Sequence, residues 1–174
     1  MTQYARPDSD TADDGNWTGS GPPSNTLYTE IDESSADDND FLEADDSGCS
    51  GVNCQVGLSD VNDPSSATAH KVYYRITDGD GSGSTLLVKL MQASTAIASQ
   101  TTTLTESFAT YNFTLSSTEA NNISDYSNLR LDFTFTDDEC MGLVGKISQA
   151  YFECPDAASS GATATPAAFL LFVD

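Results

Sequence analysis

Basic residues are scarce in this sequence: six Lys and Arg stand against 27 Asp and Glu, a formal charge of −21 over 174 residues. A field of that sign repels phosphate backbones and anionic membranes, which excludes nucleic-acid binding through a basic groove. Histidine is scarcer still. The single imidazole, His70, removes most chemistry that needs two, His-rich zinc sites included. No apolar run approaches the roughly 18 residues that span a bilayer, and the opening MTQYARPDSD lacks the basic and apolar regions of a secretion signal. The expectation is a soluble chain with no membrane and no nucleic-acid partner. Nucleophile elbows of the G-x-S-x-G type and phosphate loops of the G-x-x-x-x-G-K type are missing too, so an enzyme is not expected.

What is present is unevenly spread. Residues 1–63 hold 15 carboxylates and one base, Arg6, whereas residues 64–174 hold 12 carboxylates and five bases. The front part is also turn-rich, with isolated apolar residues such as Trp17, Leu27, Tyr28 and Ile31. This composition predicts an extended acidic N-terminal arm over residues 1–45, pinned onto a core at a few points, with one short strand near Leu27 to Asp32.

From residue 69 the pattern becomes alternation with period two, the mark of strands with one buried face. Val72, Tyr74 and Ile76 share one side while Lys71, Tyr73 and Arg75 share the other. Leu86, Val88 and Leu90 form a second set, Tyr111, Phe113 and Leu115 a third, and Leu129, Leu131, Phe133 and Phe135 a fourth. The Thr-rich stretch 94–105 predicts an edge strand, and VGKISQAYFE with AAFLLFVD brings the count to about eight, in the range of a jelly roll. One helical signal interrupts them. Ser116 followed three residues on by Glu119 is a capping box, and it predicts a connector of about two turns. Strands separated by tight turns, with no helices long enough for crossovers, predict an all-β antiparallel sandwich of jelly-roll type. The sandwich is expected over residues 46–154, with 155–174 as a C-terminal tail or added strand.

Four cysteines fall into two local pairs, C-x4-C for Cys49 and Cys54 and C-x13-C for Cys140 and Cys154. Neither spacing matches the C-x2-C knuckles of structural zinc. Disulfides within each pair are expected, the second linking the two ends of a hairpin, with four buried free thiols as the alternative. In DGDGSGS, the residues Asp78, Asp80 and Ser82 repeat as in a calcium loop, but position twelve is Lys89 and strands flank it. A hairpin turn accounts for the same residues. No cofactor is expected; the metal candidates are a weakly held calcium ion at Asp78, Asp80 and Ser82, or a low-affinity cation at Asp37, Asp38, Asp40, Asp45 and Asp46. His70, in an alternating strand, reads as a packed histidine. Trp17, Tyr28, Tyr73 and Tyr151 present two alternatives: an aromatic platform for sugars, or, for Trp17, a plug that docks the arm.

RPDSD at 6–10, W-T at 17–18 and LYTEIDESSADDNDFL at 27–42 resemble the opening of small jelly-roll modules in virion proteins of tailed bacteriophages, marine ones especially. The stretch from YYRITDGDGSGS to LRLDFTF is similar to the body of those modules. The resemblance implies a virion protein on the outer surface of the capsid, a decoration or cement protein that binds the major capsid protein and itself, as a homotrimer. Its alternative is a glycan-binding module of a fibre or tail appendage. Trp17, Tyr28, Phe169, Leu170, Leu171 and Phe172 are the interface candidates, since an apolar tail is costly in water unless covered.

Overall fold

The computed structural model describes residues 1–21, 26–46, 50–79, 83–137 and 144–157. The period-two sets become eleven strands: β1 (Thr2–Ala5), β2 (Pro7–Asp13), β3 (Trp17–Gly19), β4 (Leu42–Asp45), β5 (Val52–Leu58), β6 (Lys71–Thr77), β7 (Thr85–Gln92), β8 (Thr95–Thr103), β9 (Ala109–Thr114), β10 (Leu129–Thr136) and β11 (Val144–Pro155). One sheet has the order β3-β4-β11-β6-β9, with β1 also on β11, and the other the order β2-β5-β10-β7-β8. Every pairing is antiparallel. The two sheets close face to face as a β-sandwich of jelly-roll type, as the alternation predicts.

The expected inward sets fill the space between the sheets. Tyr74, Phe133, Phe135 and Phe152 are among its largest fully buried side chains, and burying each aromatic contributes about 1.5–3 kcal/mol. Gly145 of β11 lies so close to the Phe135 ring that a Cβ there would collide with it. The Thr-rich β8 is an edge strand, as expected. The helix α1 (Ser117–Asn121) begins with the predicted box: Ser116 Oγ accepts from the Glu119 N–H, and the Glu119 carboxylate accepts from the Ser116 N–H at 2.7 Å. Among the described residues no helix is long and apolar enough to cross a membrane.

Three local expectations change. The segment after β6 is not a hairpin turn, because β6 pairs with β11 and β9 while β7 pairs with β10 and β8; the chain crosses there from one sheet to the other. β11 runs unbroken for 12 residues, so the hairpin that was to face Cys140 with Cys154 does not form. At about 3.3 Å per residue, such a strand carries its two ends far apart. The strand expected near Leu27 to Asp32 is instead a 3-10 turn at Tyr28–Glu30. The Asp10 carboxylate explains it, accepting the backbone N–H groups of Leu27 at 2.9 Å and Tyr28 at 2.8 Å, which holds the chain in a turn.

The acidic arm is woven into both sheets. β1 pairs with the end of β11 and β4 with its beginning. Residues 31–33 fill the gap between them: the Ala150 N–H donates to the Ile31 carbonyl at 3.1 Å and Gln149 Nε2 to the Glu33 carbonyl at 2.8 Å. At Arg6 the chain changes sheets, exchanging bonds with Ser59 through its N–H at 3.0 Å and its carbonyl at 2.7 Å.

Candidate ligand-binding face

Because β6 buries Val72, Tyr74 and Ile76, it must turn Lys71, Tyr73 and Arg75 outward. β11 does the same with Gln149, Tyr151 and Glu153. Register then decides which of them meet. Tyr151 lies directly across from Tyr73, Glu153 from Lys71, and Gln149 from Arg75; on the far side Asn112 of β9 stands opposite Tyr73. Pairing of β1 brings Tyr4 opposite Glu153.

The result is an aromatic strip across the outer face of this sheet. The Tyr73 and Tyr151 rings stack with centroids 4.8 Å apart and planes 18° apart. Tyr4 meets Tyr151 edge-on at 5.8 Å and 69°. Tyr4 is half-exposed, at 50%, so part of its side chain is open to a ligand. Asn112 and Glu153 form no side-chain hydrogen bond or ion pair among the described residues, which leaves hydrogen-bonding capacity beside the rings.

Cations cluster on the same face. The Arg6 guanidinium lies 5.0 Å from the Tyr151 centroid and 5.7 Å from that of Tyr4. The Lys71 ammonium lies 5.9 Å from Tyr73, Arg75 5.6 Å from Phe108, and Lys146 4.5 Å from Phe41. Four of the six bases of the chain therefore stand over aromatic rings here, each contact contributing about 0.5–1 kcal/mol. Two of the four are neutralised. Asp38 grips Arg75 at 2.7 and 2.6 Å, which holds the Asp38 carboxyl below its ordinary pKa, and Glu43 pairs with Lys146 at 3.3 Å. Between these pairs, Glu106 and Phe108 help line a shallow depression of about 450 Å³.

A second cleft, of about 420 Å³, opens at the sandwich edge between β2 and β3, with Trp17 and Leu27 among its lining and Asp10 and Asp13 at its rim. Under the arm, burial raises the carboxyls of Glu30 and Asp32 and pushes Glu33 up to about 7, with Asp40 adding repulsion to each. Glu30 is held by the Ser20 N–H and hydroxyl, both at 2.8 Å, whereas Glu33 Oε2 is buried without a partner.

The residues singled out from sequence separate sharply. Tyr73 and Tyr151 come together in the strip. Trp17, only 3% exposed, packs in the core, which favours the docking reading over an open platform for sugars. Tyr28 packs half-buried against the core. His70 is fully buried, bonded through Nε2 to the Tyr126 hydroxyl at 2.8 Å and through Nδ1 to the Thr68 carbonyl at 3.0 Å. Cys54 and Cys154 are buried free thiols, and burial pushes Cys154 up to about 11; Cys49 and Cys140 lie outside the described residues. Asp78 is buried and accepts the Gly83 N–H at 3.4 Å, while Asp80, Ser82 and the run Phe169, Leu170, Leu171 and Phe172 lie outside them. Among the described residues no three of His, Cys, Asp and Glu gather to hold a metal. The strip's other members, Tyr4 and Arg6, are not marked by any sequence pattern; only the pairing of β1 with β11 places them.

No protein-family model matches this chain, and no curated protein does. Solved structures match its fold. A cyclase from Fischerella sp. TAU superposes with a TM-score of 0.52 at 15% identity, over 90% of each chain. TmCBM61 in complex with β-1,4-galactotriose gives 0.47 at 8% identity, over 87% of this chain and 86% of that one. The enzymatically active domain of tailspike protein 4 from bacteriophage CBA120 gives 0.46 at 8% identity, over 87% of this chain but 19% of the other. At 15% identity the likeness to the cyclase shows the fold alone and says nothing of chemistry.

Proposed function

We propose that this protein is a glycan-binding module and that its binding surface is the outer face formed by β1, β11, β6 and β9. The observation that carries the reading is the strip of Tyr4, Tyr151 and Tyr73, with a half-exposed side chain at Tyr4 and unspent hydrogen-bonding groups at Asn112 and Glu153. Sugars present apolar C–H faces and a rim of hydroxyls, so a recognition surface needs exactly that mixture of ring and polar side chain. A sheet supplies it rigidly, since Tyr73 stands on a strand paired on both sides and Tyr151 and Tyr4 on strands paired with each other.

The setting we propose is a fibre or tail appendage of a tailed phage, on the strength of the resemblance of residues 6–42 and 73–135 to virion modules. The capsid-surface cement role, with a homotrimer and the major capsid protein as partner, gains no support from the face: an adhesive surface needs to point away from the particle, not into its shell. Counting copies per particle by quantitative mass spectrometry decides between them, few for an appendage and hundreds for cement.

The binding test is retention on polysaccharide-loaded gels. Replacing Tyr4 and Tyr151 together with Ala should weaken retention by tenfold or more, about 1.4 kcal/mol or above. Unchanged retention by every polysaccharide that the native protein binds would remove the face from consideration.

A further inference from the structure

Acids outnumber bases more than four to one in this chain, so an exposed base has no shortage of partners. Arg75, Lys146 and Lys89 each take one. Among the described residues Arg6 and Lys71 do not, although candidates stand close by, and neither does Arg130 on the opposite sheet. Asp32, whose carboxyl feels Arg6, stays beyond ion-pair distance of it. Glu153 lies directly across from Lys71 in the register, yet the Lys71 ammonium turns to the Tyr73 hydroxyl at 3.5 Å. Arg6 spends one N–H on the Glu33 carbonyl at 2.6 Å; the rest of its five donors are uncommitted.

On this face, the two cations without an ion pair stand by the stacked tyrosines. Arg6 lies 5.0 Å from the Tyr151 centroid and Lys71 5.9 Å from that of Tyr73, with 4.8 Å between the two stacked rings. A neutral sugar offers hydroxyls and needs no cation. Two unpaired cations in a row call for acceptors that carry charge.

We infer that the ligand of this face is an acidic polysaccharide, its carboxylate or sulfate groups held by Arg6 and Lys71 while its rings lie along Tyr4, Tyr151 and Tyr73. The inference rests on the glycan-binding reading above. Glu153, between Tyr4 and Lys71, repels a charge placed over its own row and so favours chains whose acidic groups are spaced along the polymer. The overall charge of −21 opposes approach from a distance, but screening over about 8 Å at physiological salt removes that far field and leaves the short contacts.

The experiment compares three probes at about 0.15 M NaCl, the ionic strength at which that screening holds: polygalacturonate for carboxylate, carrageenan for sulfate, and β-1,4-galactan as the neutral control. Affinity is measured by titration calorimetry on the full chain. At least one acidic probe should bind about tenfold or more tighter than the galactan, and the acidic-to-neutral ratio should fall about tenfold in the double variant R6Q/K71Q. The charge-preserving variant R6K/K71R keeps most of that ratio, and thermal melts of both variants confirm that they fold. Preference for the galactan, or a ratio that R6Q/K71Q leaves unchanged, overturns the inference while leaving the glycan-binding reading intact. Failure of all three probes to bind overturns both.

Discussion

The two outer faces of the sandwich arise from the same alternation of side chains, yet they spend their polar groups differently. On the face of β5, β10 and β7, the Asp132 carboxylate is only 4% exposed and is surrounded by its own neighbours. Asn53 donates to it at 3.1 Å, Gln55 at 2.6 Å and Lys89 at 3.2 Å, and Asn53 also reaches the Phe133 carbonyl at 2.9 Å. No aromatic ring projects from those three strands, since Phe133 and Phe135 both point inward. On the face of β11 and β6, rings stand outward and Arg6, Lys71, Asn112 and Glu153 keep their charge or their donors unspent. A polar group satisfied from within holds the sheet together; one left unsatisfied at the surface is available to something else.

Removing the centre of the closed network breaks this contrast most directly. Asp132→Ala leaves Asn53, Gln55 and Lys89 facing one another without their acceptor, at a cost of about 2 kcal/mol, or roughly 4–8 °C in melting temperature for a chain of this size. Polysaccharide retention by the folded variant should be unaffected. If calorimetry shows no loss of stability, the network is incidental and the two faces do not differ as argued.

Tyr73→Ala is the converse and a smaller perturbation of the fold. It removes one partner of an exposed ring stack, about 1 kcal/mol of stability, while weakening retention severalfold. A variant that melts far lower but binds as before would mean that the tyrosines are scaffolding.

A third effect concerns neither face but the arm that brings Arg6 to the strip. Burial raises the Glu33 carboxyl to about 7, above the ordinary carboxylate range, so between the two values the folded chain holds a proton that the unfolded chain has released. The Glu33 contribution to stability therefore falls as pH rises from about 4.5 to about 7, is fully lost above that, and returns on acidification through the same window. Glu33→Gln should flatten this dependence and raise the melting temperature at pH 8 relative to the native chain. An identical slope for the two proteins would contradict the burial of that carboxyl.

Much of the sandwich is legible in the sequence because a strand's inward and outward sets follow from side-chain spacing alone. Tyr73 with Lys71 and Arg75, the Leu129 to Phe135 series and the Ser116 and Glu119 box all depend on neighbours within a few residues, and all stand as read. The errors have one origin. The crossing after β6, the unbroken β11 and the turn at Tyr28–Glu30 each depend on a partner distant in the chain: β9 and β11 for the first, β6 for the second, the Asp10 carboxylate for the third. Trp17 shows the same limit, since its ring suits a platform or a core equally well until β3 docks on β4.

By itself the sequence determined that this is an acidic, all-β chain with one-sided strands, and that Tyr73 and Tyr151 face away from its core. Tertiary structure alone decided that these two stack, that Tyr4 and Arg6 join them from 147 and 145 residues away, and that Lys71 goes without an acid. The physical reason is that alternation specifies which side of a sheet a residue occupies, whereas strand register specifies its neighbour, and a surface becomes a site only through its neighbours.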